Sequence, residues 1–141
     1  MYLLDTNACI RVLNRSSQSL VSQLESIRPS QLRLCSVVKG ELVYGARKSA
    51  RPAENLRVLQ SFFEPFTSLS FDDACAEQYG SIRQDLERLG TPIGPYDLMI
   101  AATAIAHDVV LVTHNTNEFS RVVGLRWEDW EREEADRSGP K

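Results

Sequence analysis

Three acidic residues stand where an apolar segment meets a polar turn: Asp5 after Tyr2-Leu3-Leu4, Glu41 after Lys39-Gly40, and Asp97 after Gly94-Pro95-Tyr96. Taken singly, each has an ordinary explanation, because a carboxylate near a helix N-terminus complements the helix dipole. Taken together, they raise a different chemistry. Carboxylates brought close repel one another, so a cluster persists when a cation neutralises it. Mg²⁺ prefers oxygen ligands and retains waters, so a few carboxylates suffice to hold it. A site of that kind activates water and stabilises charge during in-line displacement at phosphorus. Whether the three groups converge is a property of the fold.

The elements that must position them follow from periodicity. Tyr2–Leu4 reads as a strand, and Asp5-Thr6-Asn7 as a turn with a helix N-cap. A helix begins over Cys9–Leu13, and Leu20, Leu24 and Ile27 continue helical spacing until Pro29. Leu32–Val37 reads as a second strand and Lys39–Lys48 as a helix, which puts Glu41 in its first turn. Pro52 fits the first turn of the next helix, which runs through Leu56, Leu59 and Phe62-Phe63. Phe66–Phe71 reads as a third strand. Asp72 or Asp73 caps a helix with the stripe Ala76, Tyr79, Ile82, Leu86 and Leu89, ended by Gly90. A very apolar helix over Leu98–Ala106 follows the loop Thr91–Pro95. The β-branched run Val109–Val112 reads as a central strand covered on both faces. Trp127 and Trp130 close the globule.

Strands alternating with helices predict an α/β fold with a mainly parallel sheet. Sites in such sheets form at the carboxyl ends of strands, where Asp5 and Thr113-His114-Asn115 both fall. The expected organisation is one domain over residues 1–130 and a charged, aperiodic tail, flexible in expectation, over 131–141, where Gly139-Pro140 lies.

Composition sets the bounds. A chain of 141 residues, 43% hydrophobic and 25% charged, can bury a core without disulfides. Cys9, Cys35 and Cys75 are odd in number, widely spaced and set among apolar residues, so they read as small buried hydrophobes and not as a metal knuckle. The net charge of −3 argues against broad, nonspecific nucleic-acid binding. Locally, Lys39, Arg47, Lys48, Arg51 and Arg57 outnumber Glu41 and Glu54, a pattern that fits a solvated helix face or a phosphate-contacting one. No apolar run approaches the ~20 residues of a membrane helix, and no basic segment precedes a long apolar stretch at the N-terminus. The expectation is a cytoplasmic protein with no membrane association. His107 falls at a helix end, where an imidazolium suits the dipole. His114 lies beside the candidate site, and neither histidine is assigned as a catalytic base.

Four segments carry a resemblance. They are Leu3-Leu4-Asp5-Thr6-Asn7; Ser36-Val37-Val38-Lys39-Gly40-Glu41-Leu42-Val43-Tyr44-Gly45-Ala46; Ile93-Gly94-Pro95-Tyr96-Asp97-Leu98-Met99-Ile100-Ala101-Ala102; and Leu111-Val112-Thr113-His114-Asn115-Thr116-Asn117-Glu118-Phe119, with Gly124-Leu125 and Glu128-Asp129-Trp130 closing the match. In this order and spacing the chain resembles the PIN-domain ribonucleases, and among them the VapC-type toxins of bacterial type II toxin–antitoxin pairs. The resemblance implies a three-layer α/β/α sandwich and an endoribonuclease dependent on Mg²⁺ or Mn²⁺ that hydrolyses RNA, transfer RNA being one plausible class, with metal-activated water. It assigns Asp5, Glu41 and Asp97 as metal ligands and Thr6 as a polar neighbour of the first. The fourth position stays open between the Glu118 carboxylate and the Asn115 amide oxygen, because the family often has an Asp where Asn115 stands. Tyr96 departs from the small polar residue expected before the aspartate. The resemblance also implies a small antitoxin that masks the active site, and a homodimer; Leu13, Leu20, Leu24, Leu56 and Leu59 are candidates to line an antitoxin groove, or else core residues.

Other chemistries fit less well. An aspartyl-nucleophile phosphatase needs a second Asp two residues after the first, where this chain has Asn7. A phosphorylated receiver domain needs a lysine after its last central strand, where this chain has Thr113-His114. The non-enzymatic alternative is a catalytically silent PIN-like module that binds RNA or protein, and a broken acidic set would favour it.

Overall fold

The computed structural model describes residues 1–131. Along them run β1 (Tyr2–Leu4), α1 (Thr6–Asn14), α2 (Gln18–Glu25), a 3-10 turn (Pro29–Gln31), β2 (Leu32–Cys35), α3 (Ser36–Arg47), α4 (Pro52–Phe63), β3 (Thr67–Leu69), α5 (Asp73–Arg88), α6 (Pro95–Ala106), β4 (Val110–Val112), α7 (Thr116–Phe119) and β5 (Trp127–Glu128). The strands pair in the order β3-β2-β1-β4-β5, all parallel. Neighbouring residues on one strand point to opposite faces of a sheet. Leu3 and Leu4 are both fully buried, as are Leu34 and Cys35, and Leu111 with Val112 nearly so. Both faces of the sheet are therefore covered, which gives the three layers expected from the sequence.

The strand order reverses at β1: β2 and β3 lie to one side of it, β4 and β5 to the other. This is the switch point at which parallel sheets open a crevice beyond the strand ends. Leu4 pairs with Val112, and the Asp5 N–H donates to the Val112 carbonyl at 3.1 Å. The next residues, Asp5 and Thr113, thus emerge side by side into that crevice.

Several boundaries differ from those read in the sequence, each for a local reason. β2 ends at Cys35 and α3 starts at once at Ser36. Val37, which ends the strand read in the sequence, sits instead in the helix beside Val38, which is fully buried there. Glu41 is consequently in the second turn of α3, not the first, and the helix-terminus explanation for its charge loses force. α1 begins at Thr6, ahead of Cys9, because Asp5 caps it, its Oδ1 accepting the Ala8 N–H at 2.8 Å. α6 begins at Pro95, whose fixed φ suits a first helical position. β3 is confined to Thr67–Leu69, and β5 is a two-residue exposed strand with no apolar signature to announce it. Gly90, with φ +73°, follows the end of α5 as expected.

Trp130 is buried and packs edge-on against Tyr2, ring centroids 5.0 Å apart, whereas Trp127 lies exposed on β5. Glu131 belongs with the globule: its carboxylate pairs with Arg11 at 3.2 Å and is 9% exposed. The rest of the expected tail, 132–141, lies outside the described residues. The three cysteines are free and buried, and burial pushes their thiols up. Among the described residues no helix is long and apolar enough to cross a membrane.

Candidate active site

Each acidic residue reaches the crevice from a different element. Asp5 caps α1 at the end of β1 and is 5% exposed. Its carboxylate accepts from the Ala8 N–H and from Thr113, and Arg11 lies close enough to favour its charge. Burial outweighs all three, so its pKa is raised, with Glu41 adding to the rise. Glu41 projects from the second turn of α3, where the Thr6 hydroxyl donates to its Oε1 at 2.6 Å. That bond spans 35 residues of chain and fixes α1 to α3 at the site.

Asp97 is the third residue of α6 and half-buried. Its pKa is raised from 3.8 to about 6, first by burial, then by the negative charges of Glu118, Asp5 and Glu41, and last by a hydrogen bond with Glu118. Glu118, in the single turn of α7, is therefore the acidic group that acts most strongly on Asp97. Asn115 precedes α7; its N–H donates to Thr113 Oγ1 at 2.9 Å, and its side chain makes no capping bond. The structure thus brings Asp5, Glu41, Asp97 and Glu118 into one electrostatic group, with Thr6 bound to Glu41 and Asn115 at the entry to α7.

Four oxygen-donor side chains whose negative charges add to the raised pKa of Asp97 and, from Glu41, of Asp5 form a set suited to a hard divalent cation. The arrangement is open. The tightest groups of potential ligand atoms among the described residues, each within 4.8 Å, lie elsewhere: Asp72, Cys75 and His107, and His114, Asp129 and Glu131. The first is a structural junction. Asp72 caps α5 through the Cys75 N–H at 3.1 Å, and His107, at the C-terminal end of α6, contacts the Ser70 carbonyl at 3.2 Å. In the second, His114 Nδ1 lies 2.9 Å from Asp129, and Glu131 is engaged by Arg11. An open carboxylate set suits an ion that keeps part of its water shell.

Sequence reasoning missed Thr113 and Arg11 as partners of Asp5. Thr113 is legible only once β1 and β4 are known to be neighbours in register; Arg11 needs the axis of α1. The basic run is largely occupied within the protein: Lys39 lies over the Phe63 ring at 5.1 Å, Lys48 over Tyr44 at 4.9 Å, and Arg51 pairs with Glu54 at 3.2 Å. Of the candidate groove leucines, Leu20 and Leu59 are buried in the core, while Leu13, Leu24 and Leu56 pack against it only partly buried.

Residues 2–125, which include all four carboxylates, match the family model of the PIN domain. A VapC from Shigella flexneri described as a tRNA(fMet)-specific endonuclease is 42% identical over 129 residues, spanning 92% of this chain and 97% of the relative. The chain belongs to the PIN-domain family, in its VapC ribonuclease branch. Ribonuclease VapC2 of Rickettsia felis is 36% identical over 94% of this chain and 99% of its own length. Among solved structures, the DNA-bound VapBC of Salmonella typhimurium superposes with a TM-score of 0.86 at 40% identity, over 92% of this chain and 97% of that one. The R. felis VapBC2 complex on a promoter fragment also gives 0.86, at 36% identity over 92% and 98%. The PIN fold expected from the four sequence segments is thus the fold observed, and the switch-point crevice of this VapC-type chain holds its acidic set.

Proposed function

We propose that this chain is a Mg²⁺- or Mn²⁺-dependent endoribonuclease, the toxin of a toxin–antitoxin pair, in which Asp5, Glu41, Asp97 and Glu118 hold the cation. The observation that carries the reading is the convergence of four carboxylates, from the β1–α1 junction, α3, α6 and α7, at the sheet's switch point, with Asp97 raised to about 6. When bound, the cation supplies activation of water and neutralisation of charge at the phosphate under attack. The protein's residues do the rest. The Ala8 N–H and Thr113 hold Asp5 in one orientation, and Thr6 holds Glu41. α7 carries Glu118 against Asp97, and Asn115 immediately precedes that helix. Positioned carboxylates of this kind need no separate histidine base.

The named specificity of the Shigella relative supports structured RNA, transfer RNA included, as the substrate class, and with it a cytoplasmic site of action. The VapBC complexes among its structural neighbours support a small antitoxin as partner. A cavity of about 480 Å³ with mixed walls, apolar at Ile10, Leu13, Leu42 and Val58 and polar at Asn14, Asn55 and Glu41, offers that partner a seat next to the site. A homodimer is part of the same proposal, and sedimentation of the purified toxin tests it.

Chelation tests the chemistry. EDTA should abolish RNA cleavage, Mg²⁺ or Mn²⁺ should restore it, and the products should carry 5′-phosphates. Cleavage that survives thorough chelation, or ends bearing 2′,3′-cyclic phosphates from attack by the ribose hydroxyl, would contradict the reading.

A further inference from the structure

Two large aromatic side chains lie outside the core beside the acidic cluster. Tyr44 is 64% exposed and Tyr96 57%. Both line one cavity of about 800 Å³, whose walls also include Thr6, Glu41, Lys48 and Met99, within the size range of small-molecule sites. Tyr44 lies three residues beyond Glu41 on α3, so the two share a helix face. Tyr96 immediately precedes Asp97. The segments that place two carboxylates therefore also place two exposed ring faces. The Lys48 ammonium stands over the Tyr44 ring at 4.9 Å, so a positive charge hangs at the edge of the same cavity.

We propose that Tyr44 and Tyr96 form a stacking subsite that seats an unpaired nucleobase next to the carboxylate cluster, with Lys48 meeting the adjoining phosphate. The proposal rests on the ribonuclease reading above and gives its substrate a feature: the nucleotide beside the cut must be out of a duplex. Tyrosine faces bind bases of any identity, because every base has a π-face, and a nearby cation adds attraction for the backbone. A base inside a helix is already stacked on both sides and offers no free face, so loops and single strands satisfy the subsite and continuous duplex does not. Lys48, held over Tyr44 in the free protein, exchanges that contact for a phosphate as the base takes the ring.

The test uses the full chain with Mn²⁺ on a single-stranded oligoribonucleotide and on the same sequence annealed to its complement. Tyr44→Ala and Tyr96→Ala should each raise KM on the order of 10-fold, as expected for one lost base stack, with kcat nearly unchanged. Tyr44→Phe and Tyr96→Phe should retain the parental KM, since the ring and not the hydroxyl carries the contact. The parent should favour the single strand, and the alanine variants should lose that preference. A second readout needs no turnover: in an Asp97→Asn background, an oligonucleotide carrying 2-aminopurine should be quenched on binding, and the quenching should disappear with either alanine. Since both side chains are exposed, melting temperatures should stay parental. Alanine variants with parental KM and quenching would overturn the subsite while leaving the nuclease reading intact. So would a KM change that tracks dissociation of an oligomer in sedimentation, which would make the tyrosines a protein contact. Absence of cleavage by the parent would overturn the nuclease reading instead, and the quenching experiment would still decide the subsite.

Discussion

At the residue scale, the site is defined by how its carboxylates alter one another. Asp97 is raised above its unfolded value of 3.8 to about 6. A carboxyl group raised on folding binds its proton more tightly in the native state, so it favours folding while protonated. That contribution is present below 3.8 and is lost as pH rises to about 6, the reverse of an ordinary ion-paired aspartate. Metal-free protein should therefore lose stability across this window, and Asp97→Asn should flatten the decline in melting temperature. Activity should run the other way. A protonated Asp97 cannot ligate, so cleavage at limiting metal should fall as pH drops through about 6, and added Mg²⁺ should move that limb to lower pH because cation and proton compete. A pH limb unmoved by metal would assign the titration to another group. Glu118 and Asn115 separate on the same grounds. Glu118 acts on Asp97 more strongly than any other charge does, whereas Asn115 spends its backbone N–H on Thr113. Glu118→Gln should weaken metal affinity or rate more than Asn115→Ala, because charge outweighs one amide dipole beside a divalent ion. Kinetic metal titration of both variants checks the order; the reverse order moves the role to Asn115.

At the element scale, the proposed ligands are only as well placed as the helices that carry them. α7 is a single turn, too short to be stable alone. Phe119, fully buried, ties it to the core and so fixes the adjacent Glu118. Phe119→Ala should destabilise the fold by about 3–5 kcal/mol and weaken metal-dependent stabilisation more than a cavity of similar size far from the site, such as Ile82→Ala in α5. Denaturant unfolding with and without Mg²⁺ measures both. The elements also show what was legible beforehand. Asp5 and Asp97 stand out because a strongly apolar run breaks at each, and Gly90 marks a helix end by its own conformational freedom. The register of α3 was not legible: Val37-Val38 look like strand, yet both lie in the helix, with Val38 fully buried, which moves Glu41 one turn inward. β5 carried no signal because its two residues are exposed and take their strand geometry from pairing with β4. Glu118 could be named from the family pattern, but its contact with Asp97 comes from the fold around β4.

At the scale of the whole molecule, the parallel sheet makes the site possible. Reversal of strand order at β1 leaves a crevice into which both central strands point their ends. Buried Leu3, Leu4, Leu111 and Val112 hold those ends rigid against the helical layers. Rigidity keeps like charges together in the absence of a cation, and their mutual repulsion is the source of the stabilisation that a cation would bring. If the four carboxylates are one cation site and that site cuts RNA, metal should stabilise and activate the protein together. One titration addresses it: chelated protein and its Asp97→Asn variant, followed with increasing Mn²⁺ by thermal melting and by RNA cleavage in the same samples. The parent should gain melting temperature and activity over one and the same metal range. Asp97→Asn should be as stable as the metal-free parent or more so, by about 1 kcal/mol at neutral pH once solvent screening of a part-exposed group is allowed for, yet gain little from Mn²⁺ and cleave poorly. If Asp97 serves only the end of its helix, Asn replaces it without loss. An Asp97→Asn protein with parental cleavage and parental stabilisation by Mn²⁺ would contradict the account.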